Sequence, residues 1–259
     1  SVGLKVFGVT KTSLRNLLIP VPPKIEQSRI EEILTDSDSQ IQALELLISK
    51  KRDIKQGKMQ ELLTGKTRLP GFADNWIELP ISSLCQIIRG GQIKRSEVID
   101  GDIPVIAGGK KPSSYHNQAN RFGATITISG SGANAGYVSF HEQPIFASDC
   151  STISESKEYA IRFIYFILHL IQNKIYDLQT GGAQPHVYPS HLEELVVRIP
   201  ESVMEQEKIA EVLTDMDAEI SVLEKCLEKA KAIKKGMIQQ LLTGRIRLVD
   251  SSTPQEARV

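Results

Sequence analysis

The chain has 259 residues, 41% of them apolar, enough to bury a real core in one or two domains and to exclude a disordered polymer. Its 31 basic residues balance 31 acidic ones, so a uniformly basic surface is excluded and any nucleic-acid-binding face must be local. Cys85, Cys150 and Cys226 lie far apart without metal spacing, which argues against zinc and against a disulfide framework, and for a reducing, cytoplasmic compartment. The chain opens on Ser1 rather than a methionine and lacks a signal-peptide pattern, so it is expected to be a fragment or a trimmed product.

Residues 1–23 carry a weak echo of a later segment. Thr12, Leu14, Leu17, Leu18, Val21 and Pro22 lie over Ser190, Leu192, Leu195, Val196, Ile199 and Pro200 at a shift of 178. They read as the tail of a missing domain of the same kind, so the full protein is expected to be longer at its N-terminus. Residues 24–65 then form one long predicted helix, started by Pro22-Pro23 and stopped by Gly65. Ile30, Leu34, Ile41, Leu44, Ile48 and Leu62 keep an apolar seam, while Ser37, Lys51, Lys55 and Lys58 occupy other seam positions. An adjacent stripe of Ile33, Leu47, Ile54 and Met59 is expected to share the contact. Gly65-Lys66-Thr67 resembles the end of a phosphate-binding loop but has Gln60 where that loop needs glycine, and the reading is rejected.

After a linker at residues 66–75, residues 76–200 alternate short β-like runs with turn signals. Strands are predicted at Ile103–Ile106, 124–129, 137–140 and 195–199, with one buried helix over residues 160–178. That helix is interrupted by Arg162, His169, Asn173, Lys174 and Asp177, which makes it poor material for a membrane span. The domain is read as α+β. Its loop Gly130-Ser-Gly-Ala-Asn-Ala-Gly136 leads into a strand rather than a helix, so it offers no helix N-terminus to a dinucleotide. A structural turn and a close approach of nucleic acid remain open for it.

A second helix is predicted over residues 204–243, followed by a tail at 244–259. Laying residues 26–69 over 205–248, a constant shift of 179, makes about half the positions identical without a gap. Glu26-Gln27 falls on Glu205-Gln206, and Leu62-Leu63-Thr64-Gly65 falls on Leu241-Leu242-Thr243-Gly244, so the repeated unit is complete at both ends. In the second copy Ile209, Leu213, Met216, Ile220, Leu223, Leu227, Ala230, Met237 and Leu241 form a heptad seam broken only at Lys234. Each helix should run roughly 37 residues, about 55 Å. An isolated heptad pair is ordinarily a dimerisation coil. Two copies bracketing a domain-sized insert point instead to a spacer, its two helices packed on each other.

No catalytic constellation emerges, because His116, His141, His186 and His191 lack a nucleophile or carboxylate at a useful spacing. Amino-methyltransferase and nuclease motifs are also missing. The middle domain instead carries polar loop residues suited to base edges and phosphates. These are Lys94, Arg95, Lys110, Lys111, Ser113, Ser114, Tyr115, His116, Asn117, Arg121, Ser131, Asn134, Gln184, His186 and Tyr188. With Arg89, the cationic members of the set fall within one third of the domain and are expected to form a local basic face.

The domain that opens with Trp76-Ile-Glu-Leu-Pro, the Leu-x-x-Leu-x-x-x-Ile-Pro ending at Pro200, and the duplicated Glu-Gln…Leu-Leu-Thr-Gly helix together resemble the specificity subunit of type I restriction-modification enzymes. The resemblance implies an α+β target-recognition domain with two long antiparallel helices as a coiled-coil-like spacer. It implies a non-catalytic, cytoplasmic, bacterial or archaeal subunit that reads one half of a bipartite double-stranded DNA target and scaffolds the methylation and restriction subunits. S-adenosylmethionine, magnesium and ATP would belong to those partners, with no cofactor or metal in this chain. Because most of a first recognition domain is lacking, two copies associating through their helices would restore the pair. A protein-interaction scaffold, with a coiled-coil dimer and a protein- or RNA-binding middle domain, is the second reading; an enzyme with an unrecognised site is the third.

Overall fold

The computed structural model describes residues 11–15 and 19–248, with all their side chains except those of residues 13, 14 and 95. Parts of the predicted tails at 1–23 and 244–259 therefore lie outside the described residues. Two helices dominate: α1 spans Lys24–Leu63 and α4 spans Val203–Leu241, 40 and 39 residues. Two compact units can be distinguished. One comprises residues up to Lys50 with those from Glu219; the other is Lys51–Ala218.

In the first unit the opening of α1 runs antiparallel to the end of α4. The early half of each helix is richer in acidic residues and the late half in basic ones, which leaves an antiparallel pair with opposite charges facing. Lys231 meets Glu45 at 2.8 Å, and Lys234, the break in the predicted seam, meets Asp38. Exposed pairs of this kind contribute little energy; they select the register. The seam itself buries Ile30, Ile41, Ile48, Ile220 and Leu241. At its end the Glu26 carboxylate is buried and accepts from Arg247 Nε at 2.8 and 2.9 Å and from the Leu248 N–H at 3.1 Å.

The predicted auxiliary stripe needs correction. Met59 is buried, but Leu47 and Ile54 are exposed, because the ideal helical period carries them off the seam within a few turns. Lys55, at a predicted seam position in the second unit, is accommodated by an ion pair to Asp217 at 2.5 Å and by the face of Phe166.

The second unit holds the sheet-rich domain. Strands β1 (Trp76–Pro80) and β9 (Val196–Pro200) pair antiparallel over five positions, from Trp76 opposite Pro200 to Pro80 opposite Val196. The larger sheet has the order β2-β8-β5-β6, with β2 at Ile88–Arg89, β5 at Thr125–Ser129, β6 at Val138–His141 and β8 at Cys150–Ser154. A smaller one has the order β4-β3-β7, with β3 at Ile103–Ile106, β4 at Ser114–His116 and β7 at Phe146–Ala147. β5 is buried on both faces. Ile126 and Ile128 join Ile153 in the main core, where they meet α2 (Ile161–Leu170) through Phe163, Ile164 and Ile167. On the other face hydroxyls are satisfied internally, Thr127 Oγ1 by His141 Nε2 at 3.0 Å and Thr152 Oγ1 by Arg121 Nε at 2.8 Å.

The single helix predicted over residues 160–178 is two helices, α2 and α3 (Gln172–Asp177), parted at Ile171, whose ψ of 18° leaves the helical region. The break frees Gln172 to turn onto the neighbouring glycine loop. Its Oε1 accepts the Val138 N–H at 3.1 Å and its Nε2 donates to the Gly136 carbonyl at 2.7 Å.

The domain is fastened where helix and sheet meet. Gly65 has φ of 69°, and a Cβ there would lie 3.0 Å from the Trp76 ring, so both conformation and space require glycine. The Arg68 and Arg198 guanidinium groups lie 5.8 and 6.0 Å from the Trp76 ring centroid. Arg68 also clamps the fully buried Glu205 carboxylate through two bonds of 2.6 and 2.7 Å. Beside it Gln206 donates to the Pro200 carbonyl at 2.9 Å and accepts the Ala160 N–H at 3.0 Å.

Two outcomes test these joints. Arg68→Ala leaves a buried carboxylate without its partner and should lower the denaturant midpoint of unfolding; an unchanged midpoint would contradict the assignment. The Arg247 hydrogen bond holds the Glu26 carboxyl below its ordinary pKa despite burial. Because the folded value is the depressed one, this stabilisation is present above the ordinary carboxylate range and is lost as pH falls through the folded value. The thermal midpoint should therefore drop on acidification below about pH 4, and Glu26→Gln should weaken that dependence.

Candidate nucleic-acid interface

Three loops of the domain converge on one surface. The β3–β4 turn carries Lys110 and Lys111, both exposed, with the Lys110 ammonium 5.1 Å from the centroid of the Tyr137 ring. Its Gly108 passes so close to the next loop that a Cβ would sit 2.5 Å from the Ser131 carbonyl oxygen. That next loop, residues 130–136, makes a single 3-10 turn at Gly132–Asn134 before β6. It is joined in turn to residues 180–188 by Gly132 N–H to Pro185 O and by Val187 N–H to Gly130 O, each 3.0 Å, and by a bridge between Ser131 and His186.

The glycine loop is braced from behind. Ser131 Oγ donates to the Asp149 carboxylate, Gln179 Nε2 donates to the Ala135 carbonyl at 2.8 Å, and Gln172 holds residues 136–138. Gly136 has φ of 86° and Ile175 Cγ2 would be 3.1 Å from an added Cβ. Nothing in the sequence singled out Asp149, Gln172 or Gln179, since polar residues after a strand or inside a helical pattern look like solvated positions.

The predicted residues fall into different environments. Lys110, Lys111, Ser131, Asn134, Gln184, His186 and Tyr188 share the three-loop surface, and His186 stacks on Tyr188 with ring centroids 6.0 Å apart and planes 11° apart. Ser113 and Ser114 lie where that turn enters β4, Ser113 bonded through its backbone N–H to the Val105 carbonyl at 2.9 Å. Tyr115 is exposed within β4 and Asn117 is exposed just after it. Lys94 is exposed at the start of a 3-10 turn, its N–H bonded to Glu97 at 2.9 Å; Arg95 opens that turn, and its side chain lies outside the described ones.

Two residues are committed inside the domain instead. His116 is buried, accepting the Ile99 N–H at 3.1 Å on Nδ1 with its ring edge-on to Phe146. Arg121 donates to Thr152 Oγ1 at 2.8 Å, to the Asn120 carbonyl at 2.8 Å and to the Arg89 carbonyl at 3.1 Å. Its guanidinium braces β2 and β8, so the structure does not bring it to the loop surface. Burial also keeps the His141 pKa below its ordinary value and pushes the Cys85 and Cys150 thiols up to about 12. Among the described residues no group of His, Cys, Asp and Glu has metal-holding geometry, and no helix is long and apolar enough to cross a membrane.

Residues 73–232, the whole domain and most of α4, match the type I restriction modification DNA specificity domain. The chain belongs to that family. A type I specificity subunit of Mycoplasma pneumoniae is 27% identical over 173 residues, 65% of this chain and 46% of that protein. The type I restriction enzyme MjaVIII specificity subunit of Methanocaldococcus jannaschii is 23% identical over 281 residues, 95% of this chain and 66% of its own length. The chain thus spans from about half to two thirds of the length of these curated relatives. In fold it is similar to the crystal structure of a type I restriction-modification S subunit from M. genitalium, with a TM-score of 0.68 at 20% identity over 85% of this chain and 61% of that one. The HsdS subunit from Thermoanaerobacter tengcongensis gives 0.56 at 16% identity over 94% of this chain and 65% of that one.

Within this specificity fold, the left-handed glycine at position 136 is testable. Gly136→Ala should lower stability by about 1–2 kcal/mol in thermal unfolding, whereas Gly182→Ala, where an added Cβ meets nothing within 4 Å, should leave it unchanged.

Proposed function

We propose that this chain is a sequence-specific DNA-binding subunit of a type I restriction-modification complex. It reads one half of a bipartite target through the domain at residues 76–200 and carries no catalytic site of its own. The observation that carries the reading is the convergence of two exposed lysines, the exposed Gln184 carboxamide and the exposed Tyr188 from three interconnected loops on a domain of a DNA specificity family. Lysines meet phosphates, Gln and Asn carboxamides match the adenine edge, and hydroxyls fix the backbone. A neutral net charge is compatible with this because two adjacent lysines, Lys110 and Lys111, are exposed on that surface.

The long helices, with both ends repeated, suit a scaffold on which the methylation and restriction subunits assemble in the cytoplasm. S-adenosylmethionine, magnesium and ATP are then used by those partners and not by this chain. Association of two copies through the self-similar helices would supply a second half-site reader.

Gel-shift titration of the chain, assembled with its cognate methylation subunit, on randomised duplex tests this. Selective retention of one sequence class is expected; equal binding to all sequences contradicts it, and affinity insensitive to salt favours the protein-scaffold reading. The double variant Lys110→Ala with Lys111→Ala should weaken binding to every sequence and reduce the log–log salt slope by about 2, near 0.9 per lost phosphate contact.

A further inference from the structure

One of the three loops is a closed hairpin with an exposed tip. Thr180 and His186 exchange both backbone bonds, N–H to O at 2.9 and 2.8 Å, and so close residues 180–186 into a small hairpin. Gly181 turns it with φ of 92°, and a Cβ there would meet the Gln184 carbonyl oxygen at 3.0 Å. Gly182 and Ala183 keep the tip slender, and residues 181–184 are all exposed. Such a tip is narrow enough for a major groove about 12 Å wide.

Stiffness below contrasts with an unused side chain above. The hairpin's return strand is bonded to residues 130–132, which Asp149 secures through Ser131 Oγ and through its carbonyl, the latter accepting the Gly130 N–H at 3.0 Å. His186 Nδ1 lies 2.8 Å from the Gln184 carbonyl oxygen, which fixes the backbone next to the tip. Among the described residues the Gln184 carboxamide has no hydrogen-bond partner. Its donor and acceptor serve nothing in the fold, while the backbone that aims them is held on both sides.

We propose that residues 180–186 form the base-reading finger of this domain, that Gln184 reads a base edge from its tip, and that Asp149 is the positioning residue that sets the finger's height. The proposal rests on the DNA-reading function above and deepens it by separating readers from sequence-blind contacts. A carboxamide pairs two-fold with the N6 and N7 of adenine, whereas the nearby lysines neutralise phosphate whatever the sequence. A two-fold pair discriminates only if its carrier does not swing, and the hairpin's double closure supplies that.

The test is selection from a randomised duplex library by the full chain assembled with its cognate methylation subunit, for wild type, Gln184→Ala, Asp149→Ala and Asp149→Asn. Gln184→Ala should flatten preference at one base-pair position by about tenfold or more, with other positions, the salt slope and the unfolding temperature unchanged. Asp149→Ala should blur that same position, and Asp149→Asn, which keeps an acceptor for Ser131, should restore it. A Gln184→Ala profile identical to wild type overturns the finger while leaving DNA reading intact. Loss of preference spread evenly over all positions in Asp149→Ala, without rescue by Asn, overturns the positioning role. A wild-type complex that selects no sequence overturns the underlying function and the finger with it.

Discussion

A carboxylate without water must have a cation, and Glu205 sits fully buried at the start of α4. Its partner Arg68 comes from just beyond the stop of α1, so satisfying one buried charge joins the end of the first long helix to the beginning of the second. The repeat provides the same device in the other unit, where Glu26 opens α1 and Arg247 follows the stop of α4. Each pairing requires the helices to run in opposite directions with their ends matched. Apolar seams tolerate slippage by a heptad; a buried ion pair at a helix end does not.

With that register set, the second unit uses buried and half-buried polar side chains as fasteners. Gln206 reaches both Pro200 at the end of β9 and Ala160 at the head of α2, while Gln172 and Gln179 reach the glycine loop. Asn120 imitates a strand neighbour, donating to the Ala147 carbonyl at 2.8 Å and accepting its N–H at 2.7 Å. Satisfied networks of this sort rigidify what they touch. The surface they support is made of loops tied to the fold at several points by such bonds.

The long helices were legible because a repeat displays its own boundaries: Pro before, Gly after, and an apolar period between. The family was legible for the same reason, since a duplicated unit around a domain is a specific pattern. Short strands such as Ile88–Arg89 and Phe146–Ala147 were not, because two residues carry no period and owe their conformation to partners distant in sequence. The split of the apolar helix at Ile171 escaped notice because no proline or glycine marks it; a glutamine turning to a distant loop does. Among candidate site residues the glycines of residues 130–136 lie in one of the three converging loops. Residue type could not distinguish Lys110, exposed on a turn, from Arg121, consumed by three internal bonds. That distinction depends on which carbonyls the fold leaves nearby.

The pairing of β1 with β9 has a further consequence. It brings the first and last strands of the domain side by side, with Trp76 opposite Pro200, so the polypeptide leaves and rejoins the helical frame at neighbouring points. Everything between Pro80 and Val196 is strung from this one clasp, and beyond it the domain meets the long helices through Lys55 on Phe166, Gln206 on the Ala160 N–H and the shared core of Ile209 and Leu213. The clasp makes the domain an insertion whose two ends hold each other before either reaches a long helix.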